Sequence, residues 1–183
     1  SNMKEQNLNF KEVLLEIPWV GYETAINTEF TRRRTSCGMC CVAALIKEKH
    51  PNTNLDEMIE KGIAENGFTK NGWLHDYFIS LLKENGFSEA HREQDMSYSK
   101  GIQKIGNRIQ SGNPVIVSGR KFFMDQMSFH MILITGVRLN LSGEMVGFYY
   151  SDPAGKSDTE SGFWYVSIET FKQFWRQTAI FVA

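Results

Sequence analysis

Apolar residues recur at helical spacing through the first half of the chain and crowd into short β-branched and aromatic runs in the second. Residues 38–49 are small or apolar with helical spacing and predict a helix, ending near His50-Pro51 because proline disfavours helix in the residue before it. Asn54 reads as the cap of a second helix, to about 65, closed by Asn66-Gly67. A third is expected over 71–85, with Trp73, Tyr77, Leu81 and Leu82 on one face and Gly86 at its end. A fourth, over 98–111, sets Ile102, Ile105 and Ile109 on one stripe before Gly112-Asn113-Pro114. Residues 1–36 read as mostly extended or irregular, with Ile17-Pro18-Trp19-Val20 as a short apolar stretch.

The stretches 115–117, 129–137, 145–151, 162–166 and 178–182 predict strands, with a turn at Asn140-Leu141-Ser142-Gly143 and a short helix over 168–175. Helices first and antiparallel strands later mean α+β, with two layers around one core. No repeat, low-complexity tract or linker argues for a second domain. Residues 1–16 are expected to be an extension that opens on a tag remnant, Ser1-Asn2, and residues 17–183 one domain.

Bulk properties narrow the function. A hydrophobic share of 42% and a formal charge of −1 describe an ordinary soluble domain and give no electrostatic case for nucleic acid. No run is apolar enough to span a bilayer. After Met3, Lys4-Glu5-Gln6-Asn7-Leu8-Asn9 lacks a signal core, so a reducing, cytoplasmic setting is the expectation, with a removed leader left open. Three cysteines within five residues, two of them adjacent, argue against a disulfide framework. No feature sets an oligomeric state.

The candidate chemistry begins at Cys37, which follows the N-cap types Thr35 and Ser36 and opens the 38–49 helix. A thiol there feels the positive end of the helix dipole, which favours thiolate, the attacking species. His130 lies in the apolar run Phe129-His130-Met131-Ile132-Leu133-Ile134, where burial is costly unless its ring nitrogens are paired. Asp152 follows a strand, before Pro153-Ala154-Gly155. Taken singly, His130 reads as a satisfied core histidine and Asp152 as turn chemistry. Pairing 136 ± 5 with 146 ± 5 about a turn at 141 sets them opposite each other, and the trio then supplies the parts of a cysteine hydrolase.

Cys37-Gly38 opening a helix, His130-Met131-Ile132-Leu133-Ile134-Thr135-Gly136-Val137 and Tyr150-Ser151-Asp152-Pro153-Ala154-Gly155 resemble the signature segments of the bacteriocin-leader peptidase family, papain-like cysteine proteases of the double-glycine type. Their order matches, Gly112-Asn113-Pro114-Val115-Ile116-Val117 precedes the histidine, and the similarity spans roughly residues 17–182. The resemblance implies a papain-like fold, a helical half packed on an antiparallel sheet. It implies a peptide or amide substrate cleaved through a thioester, with neither metal nor cofactor. Cys37 is then the nucleophile, His130 the general base and acid, and Asp152 the group orienting His130.

The chain departs from that family in two places. The glutamine expected after the Ile-Pro-aromatic segment is missing; Tyr22 is the candidate oxyanion donor, with Asn27 and Thr31 as fallbacks. A missing donor costs roughly 10²–10³ in rate, which leaves a catalytically weak binding module as one alternative. The proline-small pair after Cys37-Gly38 is replaced by Met39-Cys40, so a thiol–disulfide oxidoreductase using Cys37 and Cys40 is another. No apolar strand feeds the helix, which counts against it, and the sulfurs with His50 do not match zinc-ligand spacing. Arg32-Arg33-Arg34 reads as a solvated charge run, or functionally as an anion-recognising rim. His75 and His91 read as surface residues, while Phe163, Trp164 and Trp175 are expected to pack the sheet, one of them lining a cleft.

Overall fold

An antiparallel sheet of seven strands separates two layers of helices in the computed structural model, which describes residues 9–120, 128–155 and 164–183. Its strands are β1 (Phe10–Leu14), the hairpin β2 (Phe68–Thr69) and β3 (Gly72–Trp73), β4 (His91–Glu93), β5 (Val115–Arg120), β6 (Phe129–Asn140), β7 (Met145–Ser151), β8 (Trp164–Ser167) and β9 (Trp175–Phe181). Its helices are α1 (Phe30–Arg34), α2 (Cys37–Lys49), α3 (Leu55–Ala64), α4 (His75–Glu84), α5 (Tyr98–Gln110) and α6 (Ile168–Phe174). The large sheet runs β4-β9-β5-β6-β7-β8, while β2 and β3 stand apart as a pair. Strand β6 is long enough to carry two partners on one edge. It pairs with β5 over its first half and with β1 over its second, where Leu14 faces Gly136 and Phe10 faces Asn140. Residues 10–14, read from sequence as part of an extension, thus lie in the sheet.

Strand alternation splits the apolar residues between two cores. Ile116, Leu133 and Ile180 pack toward α2, α3 and α4. Val117, Ile132, Ile134 and Phe181 face the other way, against Ile102, Ile105 and Ile109 of α5 and Phe171 of α6. The structure therefore corrects the expectation of two layers around one core. Val115-Ile116-Val117 and Ile132-Leu133-Ile134 are apolar at every position because both faces of these strands are covered.

Helix α2 is the centre of the first core. Every residue from Gly38 to Ile46 is buried, as expected of a helix that is apolar all round. Burial of a side chain such as Leu45 contributes about 1.5–3 kcal/mol, so the start of α2 is held by packing on every side. Helix α3 begins as read: Asn54 accepts from the Glu57 N–H at 3.1 Å. The 71–85 helix is shorter than expected. Gly72 takes φ +102° to turn the β2–β3 hairpin, and the helix begins only at His75. Among the described residues, no helix is long and apolar enough to cross a membrane. Residues 1–8 and 162–163 of the sequence readings lie outside the described residues.

Candidate active site

Cys37 is the first residue of α2, and its predicted caps do something else. Ser36 Oγ donates to the Arg32 carbonyl at 2.8 Å, and Thr35 Oγ1 donates to the same oxygen at 2.9 Å. Helix α1 ends at Arg34, and its last carbonyls, which the Thr35 and Ser36 N–H groups meet at 3.2 and 3.1 Å, also draw both hydroxyls backward. Ser36 Oγ also accepts from Trp73 Nε1 at 3.0 Å. No side chain therefore caps the first turn of α2, and its N–H groups keep their positive end toward Cys37. Gly38 permits the approach. A Cβ there would sit 2.5 Å from the Phe78 ring and 2.8 Å from Met131 Sδ.

His130, near the start of β6, is buried, and its Nε2 lies 2.6 Å from Asp152 Oδ1. The expected register is corrected. Leu133, not residue 131, faces Ser151, because the hairpin turns about residue 142 rather than 141, with Asn140 bonded to Glu144 and Leu139 facing Met145, while the slips between Ile134 and Gly136 and between Arg138 and Leu139 offset each other. His130 thus sits beyond the paired stretch, where the chain turns at Asp152-Pro153 and brings the carboxylate to the ring. Asp152 is fully buried; Oδ1 also accepts from the Ala154 N–H at 2.8 Å, while Oδ2 has no hydrogen-bond partner. A carboxylate partner assigns the proton to Nε2, leaving Nδ1 for Cys37.

The electrostatics couple the thiol to the ring. Burial raises the Cys37 pKa, but the hydrogen bond and charge of His130, with backbone N–H groups of Met131 and Gly38, carry it below its ordinary value. For His130, burial lowers the pKa, yet hydrogen bonds to Asp152 and Cys37 push it up to about 9 from 6.5. The shifts run in opposite directions because each charge stabilises the other, favouring a thiolate–imidazolium pair. Cys40 and Cys41 behave oppositely: both are buried, and burial, then the charge of Cys37, pushes their thiols up.

Tyr22 stands edge-on to His130, ring centroids 6.3 Å apart and planes at 73°. Burial raises its hydroxyl pKa, followed by the charge of Cys37, so it remains a protonated donor. The fallbacks lie elsewhere. The Asn27 N–H donates to the Asp56 carboxylate at 3.1 and 3.2 Å, and Thr31 is exposed on α1.

A cleft of about 250 Å³ opens beside Cys37 and His130, bordered by Trp73, His75, Phe129 and Arg176. The cleft bears on three sequence readings. His75 is a cleft residue stacked on Phe78, not a plain surface histidine. The lining tryptophan is Trp73; Trp175 is buried in the sheet core, Trp164 stacks on Tyr150, and Phe163 is outside the described residues. The arginine bordering the cleft is Arg176; Arg32 lies over Phe68, Arg33 over Phe30, and Arg34 over both Phe30 and Tyr22, which keeps one arginine of the run beside the site. The exposed Arg176 had no motif to mark it; only its place in β9 beside Trp175 gives a signal. Among the described residues, no three His, Cys, Asp or Glu side chains form a metal-ligand group.

A family model described as the Peptidase_C39 like family matches residues 14–180. A C39-like peptidase from Bacillus anthracis has a similar structure, with TM-score 0.63, 15% identity, and coverage of 94% of this chain and 98% of that one. A double glycine motif protease from an AMS/PCAT transporter, solved with its leader peptide, gives TM-score 0.53 and 13% identity over 91% of each chain. At such identities these likenesses show the fold, which is papain-like. No curated protein is significantly similar to the chain.

Proposed function

The chain belongs to the Peptidase_C39 like family and is a cysteine peptidase, and from that premise we propose that Cys37, His130 and Asp152 act as its triad to hydrolyse a peptide or amide bond. The Cys37 thiolate attacks the substrate carbonyl carbon, and the oxygen takes up the negative charge. The Cys37 N–H and the Tyr22 hydroxyl stabilise that oxyanion. His130, protonated, gives its proton to the leaving amine as the C–N bond breaks, and a thioester remains. Neutral His130 then takes a proton from water; the resulting hydroxide attacks the thioester and Cys37 leaves as thiolate, restoring the ion pair. Asp152 holds the ring so that Nδ1 faces sulfur throughout.

The observation that carries this reading is one ring serving two partners: Nε2 on Asp152 at 2.6 Å and a second hydrogen bond to Cys37. The relative solved with a leader peptide supports a peptide substrate laid through the cleft. A reducing, cytoplasmic setting suits three unpaired thiols. The test is hydrolysis of an internally quenched peptide library, with the acyl-enzyme trapped by acid quench and mass spectrometry. The proposal expects a thioester on Cys37 and no turnover by Cys37→Ala. Turnover that survives Cys37→Ala overturns it.

A further inference from the structure

We propose that the end of the cleft at Arg176 is a carboxylate subsite, which selects substrates by an acidic side chain or a terminal carboxylate. This deepens the peptidase reading and rests on it. Arg176 borders the same cavity as Cys37, and its guanidinium lies over the Phe129 ring at 3.7 Å from the centroid. Stacking on a fixed ring orders a guanidinium while leaving its N–H fork free to bind in plane. Among the described residues, its one hydrogen bond, to Ser118 Oγ, is long at 3.5 Å. The arginine is positioned by the ring and open to solvent, so its N–H groups can take a ligand.

A second cation, Arg92, acts with Arg176 on one histidine of the cleft. Arg92 on β4 has a buried Nε without a hydrogen-bond partner. Among the described residues, the ion pairs of lysine, arginine and histidine involve neither Arg92 nor Arg176. The charges of Arg92 and Arg176 both act on His75. Burial first, then Arg92 and Arg176, lower the pKa of that ring, and Asp76 opposes them only weakly from an exposed position on α4. Among the described residues, the carboxylate that opposes these charges at His75 is the exposed Asp76, so this end of the cleft carries positive potential, in walls that include Trp73, Phe78 and Phe129. Planar guanidinium matches carboxylate in a two-pronged contact, which fixes the ligand's chemistry. At about 250 Å³ the cavity falls below the roughly 300–1,000 Å³ of a small-molecule site. It suits one side chain or one chain end of a longer peptide.

Two probe sets separate the two sources of carboxylate. Peptidyl vinyl sulfones of one sequence carry Glu, Gln or Lys at each of the positions nearest the electrophile. Epoxysuccinyl peptides of neutral sequence end in a free carboxylate or its amide. The readout is the rate of Cys37 alkylation by mass spectrometry. A side-chain subsite makes the Glu probe about tenfold faster than the Gln probe, with Lys slowest. A chain-end subsite makes the free-acid epoxide faster than its amide by a similar factor. Either preference shrinks in high salt and disappears in Arg176→Gln; in Arg176→Glu the vinyl sulfone preference inverts toward Lys and the epoxide preference toward the amide, with both variants checked for unchanged thermal unfolding.

Fast alkylation of Cys37 without charge preference in either set, or a preference that survives both Arg176 variants, overturns the subsite and leaves the peptidase reading standing. Alkylation of Cys37 by every probe no faster than that of Cys40 or Cys41 overturns both.

Discussion

Trp19 Nε1 donates to the backbone carbonyl of Asp152 at 2.9 Å. Three residues later the tie repeats, with the Tyr22 N–H donating to the Pro153 carbonyl at 3.0 Å. The segment bearing the oxyanion candidate is thereby pinned to the turn bearing the buried carboxylate, so neither can shift alone. Trp19→Phe keeps the ring packing and removes one hydrogen bond of about 1 kcal/mol. The expected result is a fall in kcat of about fivefold, with the alkaline limb of the pH profile displaced toward acid as Asp152 loosens its hold on His130. An unchanged rate and profile would show that the tie is structural only.

Tyr22→Phe removes a single hydroxyl beside His130. As the oxyanion donor, Tyr22 should cost roughly 10²–10³ in kcat when lost, with KM little changed, since the contact forms only as charge develops. Steady-state kinetics on a quenched peptide decide this. A loss below about threefold removes Tyr22 from the oxyanion site.

Gly38→Ala forces a methyl group toward the Phe78 ring and Met131 sulfur, at 2.5 and 2.8 Å before any relaxation. Overpacking of this kind costs about 1–3 kcal/mol, and the displaced α2 start moves Cys37 relative to His130. Chemical denaturation should show the loss of stability, together with slower alkylation of Cys37. Wild-type stability and reactivity would mean that the cleft walls give way freely.

The pH dependence follows from the coupled pair. The reactive thiolate–imidazolium form exists above the lowered Cys37 pKa and disappears as His130 loses its proton near 9. The kcat/KM profile should be a bell with its alkaline limb at about 9 and its acid limb below the ordinary thiol range. Asp152 raises His130, so Asp152→Asn must lower it and bring the alkaline limb toward acid. A limb that stays in place excludes Asp152 as the group that tunes the ring.

Much of this arrangement is legible before any fold is known. The runs at 115–117 and 132–134 mark central strands because strands covered on both faces are apolar at every position, though the runs do not say which helices cover each face. Cys37, His130 and Asp152 stand out by residue type against their surroundings, and the fold gathers them. Less visible are elements too short or too polar to leave a pattern. Strand β4 is His-Arg-Glu, β1 includes Lys11 and Glu12, and α1 spans Phe30–Arg34. The two slips in β6–β7 pairing are also hidden, because alternation fixes which face a residue occupies but not where the ladder is interrupted. Arg176 illustrates the larger limit. An isolated arginine in a strand has no local signature, and only tertiary structure places it on the cavity of Cys37.

The most direct test of the central claim is the pH–rate profile of alkylation by iodoacetamide, resolved by mass spectrometry for each of the three cysteines, in the native protein and in His130→Ala. The ion-pair account predicts that Cys37 reacts far faster than Cys40 and Cys41, with an apparent pKa below the ordinary thiol value that rises in His130→Ala. Slow, equal modification of all three thiols, or a Cys37 profile indifferent to residue 130, would contradict it.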